Sequence, residues 1–190
     1  MRQPTKSGAK ARSLMDRTCR VRRDIRATAS VEFALILPVM AAFLAISVIM
    51  GEAVAIWQKV SATSRTITDL VTQYSTLSQA DLQEILNAAA YTMVPYGSAN
   101  LSMVVSEIQT NAAGQATVTW SQPAFNGVPL TPGQSVTLPA QIDQPNITLI
   151  LGQVQYTYTP LNIFYPVGAI PLSDASYWSP RMSSTVLLTP

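Results

Sequence analysis

The 190-residue chain contains no histidine, and that absence removes His-based triads, His metal sites and the usual proton shuttle near neutral pH. Cysteine occurs once, at Cys19, so no intramolecular disulfide can form and an exported domain would have to hold by packing alone. Ser and Thr are plentiful, but no His or suitably placed Lys stands ready to activate one as a nucleophile. Asp81, Glu84, Glu107, Asp143 and Asp174 are too scattered to claim a metal site and read as solvated surface. These absences argue against an enzyme and call for no metal and no cofactor.

Charge is scarce and unevenly placed. Residues 1–27 hold nine Lys/Arg against Asp16 and Asp24, a net of +7. The remaining 163 residues hold only Lys59, Arg65 and Arg181 against eight acids, a net of −5. A pI near 8.8 therefore describes the leader and not the body. Basic residues directly before an apolar segment mark the cytoplasmic flank of a membrane insertion signal rather than a nucleic-acid site. Met15 is an alternative start, and the shorter leader it would leave stays basic.

The apolar segment is "FALILPVMAAFLAISVIMG", 19 uncharged positions from Phe33 to Gly51 between Glu32 and Glu52. As a helix it spans roughly 28 Å, close to the hydrocarbon thickness of a bilayer. Pro38 in its first third would bend such a helix without breaking it. The leader is placed in the cytoplasm and the body across the membrane. Beyond Glu52, apolar Val54, Trp57, Val60, Ile67, Leu70, Val71 and Tyr74 recur at three- and four-residue spacing. That spacing predicts an amphipathic continuation with Thr and Ser on the other face. Glu52 reads as the periplasmic interface or as a second partner for a neighbour, and Lys59 stands alone on the exported helix.

A second helix is predicted from the N-cap candidate Ser78, with Asp81 three positions on, ending before Pro95. From Leu101 the period changes to that of strands. "LSMVVSEIQT" and "QATVTW" flank "NAAG" as a hairpin. Residues 121–145 read mostly as loop with a short strand at Ser135–Leu138, "ITLILGQVQYTYTP" as one or two strands, and the tail as an edge strand. Trp120, Tyr156, Tyr158, Tyr165, Tyr177 and Trp178 are candidates for core and cross-strand pairs, or for an exposed contact cluster. Asn146 opens an "NIT" glycosylation pattern that reads as chance. The sum is an α+β fold: a long N-terminal helix, a second short helix and a small antiparallel sheet.

Glu32 admits three readings. It lies at the interface, where a carboxylate costs little and suits a helix N-terminus. It belongs to a secretory signal cut after "AVA", Ala53–Ala55, though 19 residues exceed the usual signal core. Or it is part of a processing signal. A basic leader, a small residue, four further positions, then Glu, an aromatic and a long apolar helix resembles the type IV prepilin signal, with Thr28 first and Glu32 fifth. "ASVEFALILPVM" is very similar to the N-terminal signature of the TadE/TadG-like family. "SRTITDLVTQYSTLSQADLQEILNAA" resembles the segment that follows the membrane helix there. "VQYTYTP" and "SPRM" are similar to its distal Tyr-x-Tyr-x-Pro and Arg elements. The resemblance covers most of residues 23–160 and is strongest over 28–92.

The resemblance implies a pilin-like minor pseudopilin of the tight-adherence (Tad/Flp) type IVb pilus system, in the bacterial inner membrane, single-pass, N-terminus inside. Its partners would be the prepilin peptidase, other pilins and pseudopilins, and the assembly platform, with no nucleic acid. Cleavage would fall between Ala27 and Thr28, where Ala27 replaces the usual glycine. Glu32 and Phe33 would serve peptidase recognition, and Glu32 would pair with the freed amine of a neighbouring subunit. The organisation expected is a removed leader 1–27, a transmembrane helix 28–57 kinked at Pro38, a periplasmic helical segment 58–95 and a β-rich domain 96–190. A membrane-anchored or secreted envelope binding module is the alternative.

Overall fold

A computed structural model describes residues 25–160 and 168–190, with side chains from Thr28 onward. The leader through Asp24, with Met15 and Cys19, and Tyr165 lie outside the described residues. The chain divides into two units, Met1–Ser47 and Val48–Pro190. Helix α1, Ile25–Thr72, belongs to both; strand β1 follows at Thr76–Ser78 and helix α2 at Gln79–Ala90. Strands β2 (Leu101–Thr110), β3 (Ala116–Phe125), β4 (Ser135–Val136), β5 (Thr148–Tyr158) and β6 (Ile170–Trp178) form one antiparallel sheet in the order β4-β3-β2-β5-β6. A last strand, β7 at Leu187–Thr189, runs parallel to β1 as a separate pair. The fold is α+β, with the long helix, the short helix and the antiparallel sheet in the expected order; the parallel β1–β7 pair was not expected.

Local chemistry accounts for the boundaries. Ser78 caps α2 as predicted: its Oγ accepts from the Asp81 N–H at 3.1 Å, and the Asp81 carboxylate reaches back to the Ser78 N–H. At the far end of α2, where the last turn carries no basic residue of its own, Lys59 donates from Nζ to the Thr92 carbonyl at 3.0 Å. The β2–β3 hairpin turns on Asn111, whose Oδ1 accepts from Ala113 and Gln115 N–H, both at 2.9 Å. Gly114 supplies the positive φ of +76°.

Two cores lie on opposite faces of the sheet. The larger joins Ile56, Val60, Ile67 and Val71 of α1 with Leu82 and Leu86 of α2 and with Leu101, Met103, Val105, Ile150, Val154 and Tyr156 of the sheet. The smaller gathers Ile108, Ala116, Leu138, Leu149 and Leu151 beneath the loop that follows β3. A register shift between Glu107 and Ile108 leaves Thr119 without a partner on β2. That extra residue exchanges the faces of β3: Ala116 serves the smaller core, whereas Trp120 and Ala124 serve the larger.

Two sequence expectations are corrected. The Thr and Ser of the second half of α1 do not lie on a solvent face: Thr63, Ser64, Thr68 and Thr72 are fully buried, while Val54, Trp57 and Tyr74 remain about half exposed. The reason is a close approach of α1 to β5. A Cβ at Gly152 would collide with Thr68 Oγ1 and stand 3.1 Å from the Ser64 carbonyl. Only small side chains fit there, and hydroxyls can return their proton to their own helix: Thr68 Oγ1 donates to Ser64 O at 2.7 Å, and Thr63 Oγ1 to Lys59 O at 2.8 Å. Ser64 Oγ also reaches the Gly152 carbonyl at 2.9 Å.

Glu107, read from sequence as solvated surface, is 1% exposed. Its carboxylate accepts from Val186 N–H at 2.8 Å, Trp120 Nε1 at 3.2 Å and Gln109 Nε2 at 3.0 Å. Trp120 Nε1 also donates to the Val186 carbonyl at 2.8 Å. A buried carboxylate is stable when donors saturate it, and here they fasten the C-terminal segment to the central strand.

Candidate functional site

The apolar part of α1 is built from residues that leave a helix little else to do. From Val31 to Val48 every large apolar side chain is 51–69% exposed, including the consecutive Leu35, Ile36 and Leu37. The exposure therefore circles the helix rather than forming one stripe, the pattern of a segment that needs an apolar surrounding on all sides. This helix is long and apolar enough to cross a membrane. Ser47, the one hydroxyl residue between Phe33 and Gly51, donates to Phe43 O at 2.8 Å, so its polar group is satisfied within the helix.

The predicted processing residues fall at the start of this helix. Ala27 and Thr28 lie in its first turn, with Thr28 exposed. Glu32 and Phe33 follow on the helix and are both exposed. Thr28 and Glu32 stand four residues apart and so share a face about one turn from each other. Pro38 sits inside the helix, which continues past it without interruption.

Three contacts that sequence reasoning missed tie α1 to later elements. Tyr158 donates from its hydroxyl to Glu52. Burial, and then the neighbouring Glu52 carboxylate, push the Tyr158 phenol up to about 12. Arg181 pairs with Asp69, lies 5.0 Å over the Trp178 ring and donates its N–H to the Thr72 carbonyl at 2.9 Å. Thr68 Oγ1 and Ser64 Oγ meet Ser176 Oγ of β6 at 2.6 and 2.9 Å. Composition and period carried no signal for these pairings, which join positions about 106 to 112 residues apart. Among the described residues no group of acids or Cys is arranged to hold a metal. Compared with protein-family models, curated proteins and solved structures, the chain has no match.

Proposed function

We propose that this chain is a minor pseudopilin of the TadE/TadG-like kind, cut by a prepilin peptidase between Ala27 and Thr28 and acting in assembly of a Tad/Flp pilus. It sits in the bacterial inner membrane with its N-terminus inside and residues 58–190 outside. Its work is packing against other pilins, pseudopilins and the assembly platform, and it needs neither catalytic residue nor cofactor.

The observation that carries this reading is Glu32, a carboxylate at the lip of a helix whose apolar side chains are exposed on every side. A charge there is costly unless it pairs, and the amine freed at Thr28 of a neighbouring subunit is a partner of the right sign and depth. A secretory cut after Ala55 fits the packing less well. It would remove Glu52 from Tyr158, and Ile49 and Ala53 from the core they pack against.

The test is the N-terminal sequence of the membrane-associated protein from cells with and without the prepilin peptidase. A start at Thr28 that disappears without the peptidase supports the proposal. A start at Ile56 would mean a secreted domain, and an uncut Met1 or Met15 a plain anchor. Glu32→Ala should insert normally yet impair processing or incorporation; normal piliation in that variant would sink the pairing role.

A further inference from the structure

The face of the main sheet turned away from α1 changes character along its length. Toward the β2–β3 hairpin it carries Ile108, Leu149 and Leu151, which the loop after β3 covers as the smaller core. Toward the other end the same alternation brings up Ser102 and Val104 of β2 with Gln153, Gln155 and Thr157 of β5, and these line an open cavity of about 980 Å³. Asn126 and Val128 bound it beyond β3, and Ser173 and Ala175 on β6. Asp174 is the one charged residue among the described residues at the cavity, and its register with Val154 of the larger core turns it toward the α1 side. Among the described residues, no side-chain hydrogen bond engages Ser102, Gln153, Gln155, Thr157 or Ser173.

A merely solvated face would need nothing more, but this one has a fixed rim. Phe125 stands opposite Ser102 and holds φ at +55°, a region that a bulky side chain enters only under strain. Its neighbours enforce that conformation. Asn126 N–H donates to the Leu101 carbonyl at 3.2 Å, Asn126 Nδ2 to the Ala99 carbonyl at 2.7 Å, and Gly127 N–H to the Ala124 carbonyl at 3.0 Å. A Cβ at Gly127 would collide with the Met103 carbonyl oxygen. The aromatic ring held in this way is 44% exposed, and Val128 beside it 80%. Strain that several surrounding contacts maintain is characteristic of a ligand-binding surface.

We propose that this cavity binds a neutral oligosaccharide, with Gln153, Gln155, Ser102 and Thr157 bonding its hydroxyls and Phe125 lying against a pyranose face. Each of these amides and hydroxyls both donates and accepts, as a sugar hydroxyl does. The negative face of an aromatic ring attracts the C–H hydrogens of a pyranose. With no Lys or Arg at the cavity, a polyanion finds no partner there. An extended peptide fits less well, because it docks through main-chain bonds at a free sheet edge. Here the floor is β2 and β5, both flanked by strands on either side. The cavity uses no residue of 25–47, so its ligand is independent of the membrane and pilus readings.

The full chain, held in a detergent without a sugar headgroup, is titrated with chitotetraose and with maltotetraose, and saturation-transfer NMR reads the binding. Transfer to the pyranose protons of at least one sugar is expected; transfer to chitotetraose alone would specify an N-acetylated glycan. Two variants test the site. Phe125→Asn removes the ring but tolerates the left-handed backbone, and Gln155→Ala trims an exposed side chain that no fold contact uses. Each should weaken binding roughly tenfold, the loss of one good contact, while Tyr91→Ala, on the other side of the sheet, should leave it unchanged. Absence of transfer to both sugars at millimolar concentration would overturn the proposal. So would a loss of less than about threefold in either cavity variant, or an equal loss in Tyr91→Ala.

Discussion

Residues 31–48 and 56–72 of α1 are parts of one continuous helix, yet they distribute polarity in opposite ways. In the first part, Val, Leu, Ile, Phe and Met are exposed all round the helix. In the second, Thr63, Ser64, Thr68 and Thr72 are as deeply buried as Ile56, Val60, Ile67 and Val71. Apolar character predicts burial only when a partner surface is available. Hydroxyl character predicts exposure only when its hydrogen bonds cannot be made inside. Here they are made: among the described residues no buried side-chain nitrogen or oxygen lacks a partner.

The contrast can be broken at its strongest point first. Ile67→Ala should lower the unfolding free energy of the domain by about 2–5 kcal/mol, because Ile67 is fully buried. Leu44→Ala should leave thermal unfolding of the domain unchanged, because Leu44 is 68% exposed. Equal effects in the two variants would refute the division of α1 drawn above.

Next comes the close approach itself. Gly152→Ala should destabilise by about 1–3 kcal/mol, since the added carbon meets Thr68 Oγ1 and the Ser64 carbonyl. The double variant with Thr68→Ala should recover part of that loss, and denaturant titration of the single and double variants measures the coupling. Thr68→Val is expected to cost about 1–2 kcal/mol by removing its bonds to Ser64 O and Ser176 Oγ. Ser47→Ala, in the apolar part, should change domain unfolding not at all.

The smallest effect concerns the junction at Glu52. The Tyr158 phenol is raised from 10.0 to about 12, so the folded state keeps a proton that the unfolded state releases first. Its contribution is therefore fully present below pH 10 and lost as pH rises through about 12. Stability measured across that window should fall less steeply in Tyr158→Phe than in the parent. Burial raises the Tyr177 phenol as well, so some alkaline decline will persist in the variant.

Much of this architecture is legible without coordinates. The apolar run 33–51, the Ser78 cap, the Asn111–Gly114 turn and the change of period at Leu101 are local signals, carried by residues within one or two turns of each other. Glu32 is legible for the same reason, because a lone charge beside a long apolar run stands out in the linear chain. Glu107 was not. A scattered acid reads as surface, and only the arrival of Val186, 79 positions later, makes it a saturated buried acceptor.

Sequence alone thus determined the two helices and the sheet that follows them, though not the parallel β1–β7 pair, together with the uncharged span and the placement of Glu32 at its lip, since propensity, capping and hydrophobic period act over a few residues. Tertiary structure decided which face of residues 56–72 is buried, that Glu52 belongs with Tyr158 and Asp69 with Arg181, and that Thr and Ser fill the contact at Gly152. Those outcomes depend on how closely a helix and a strand far apart in the chain can approach. Side-chain volume and hydrogen-bond satisfaction fix that distance only once the two surfaces meet.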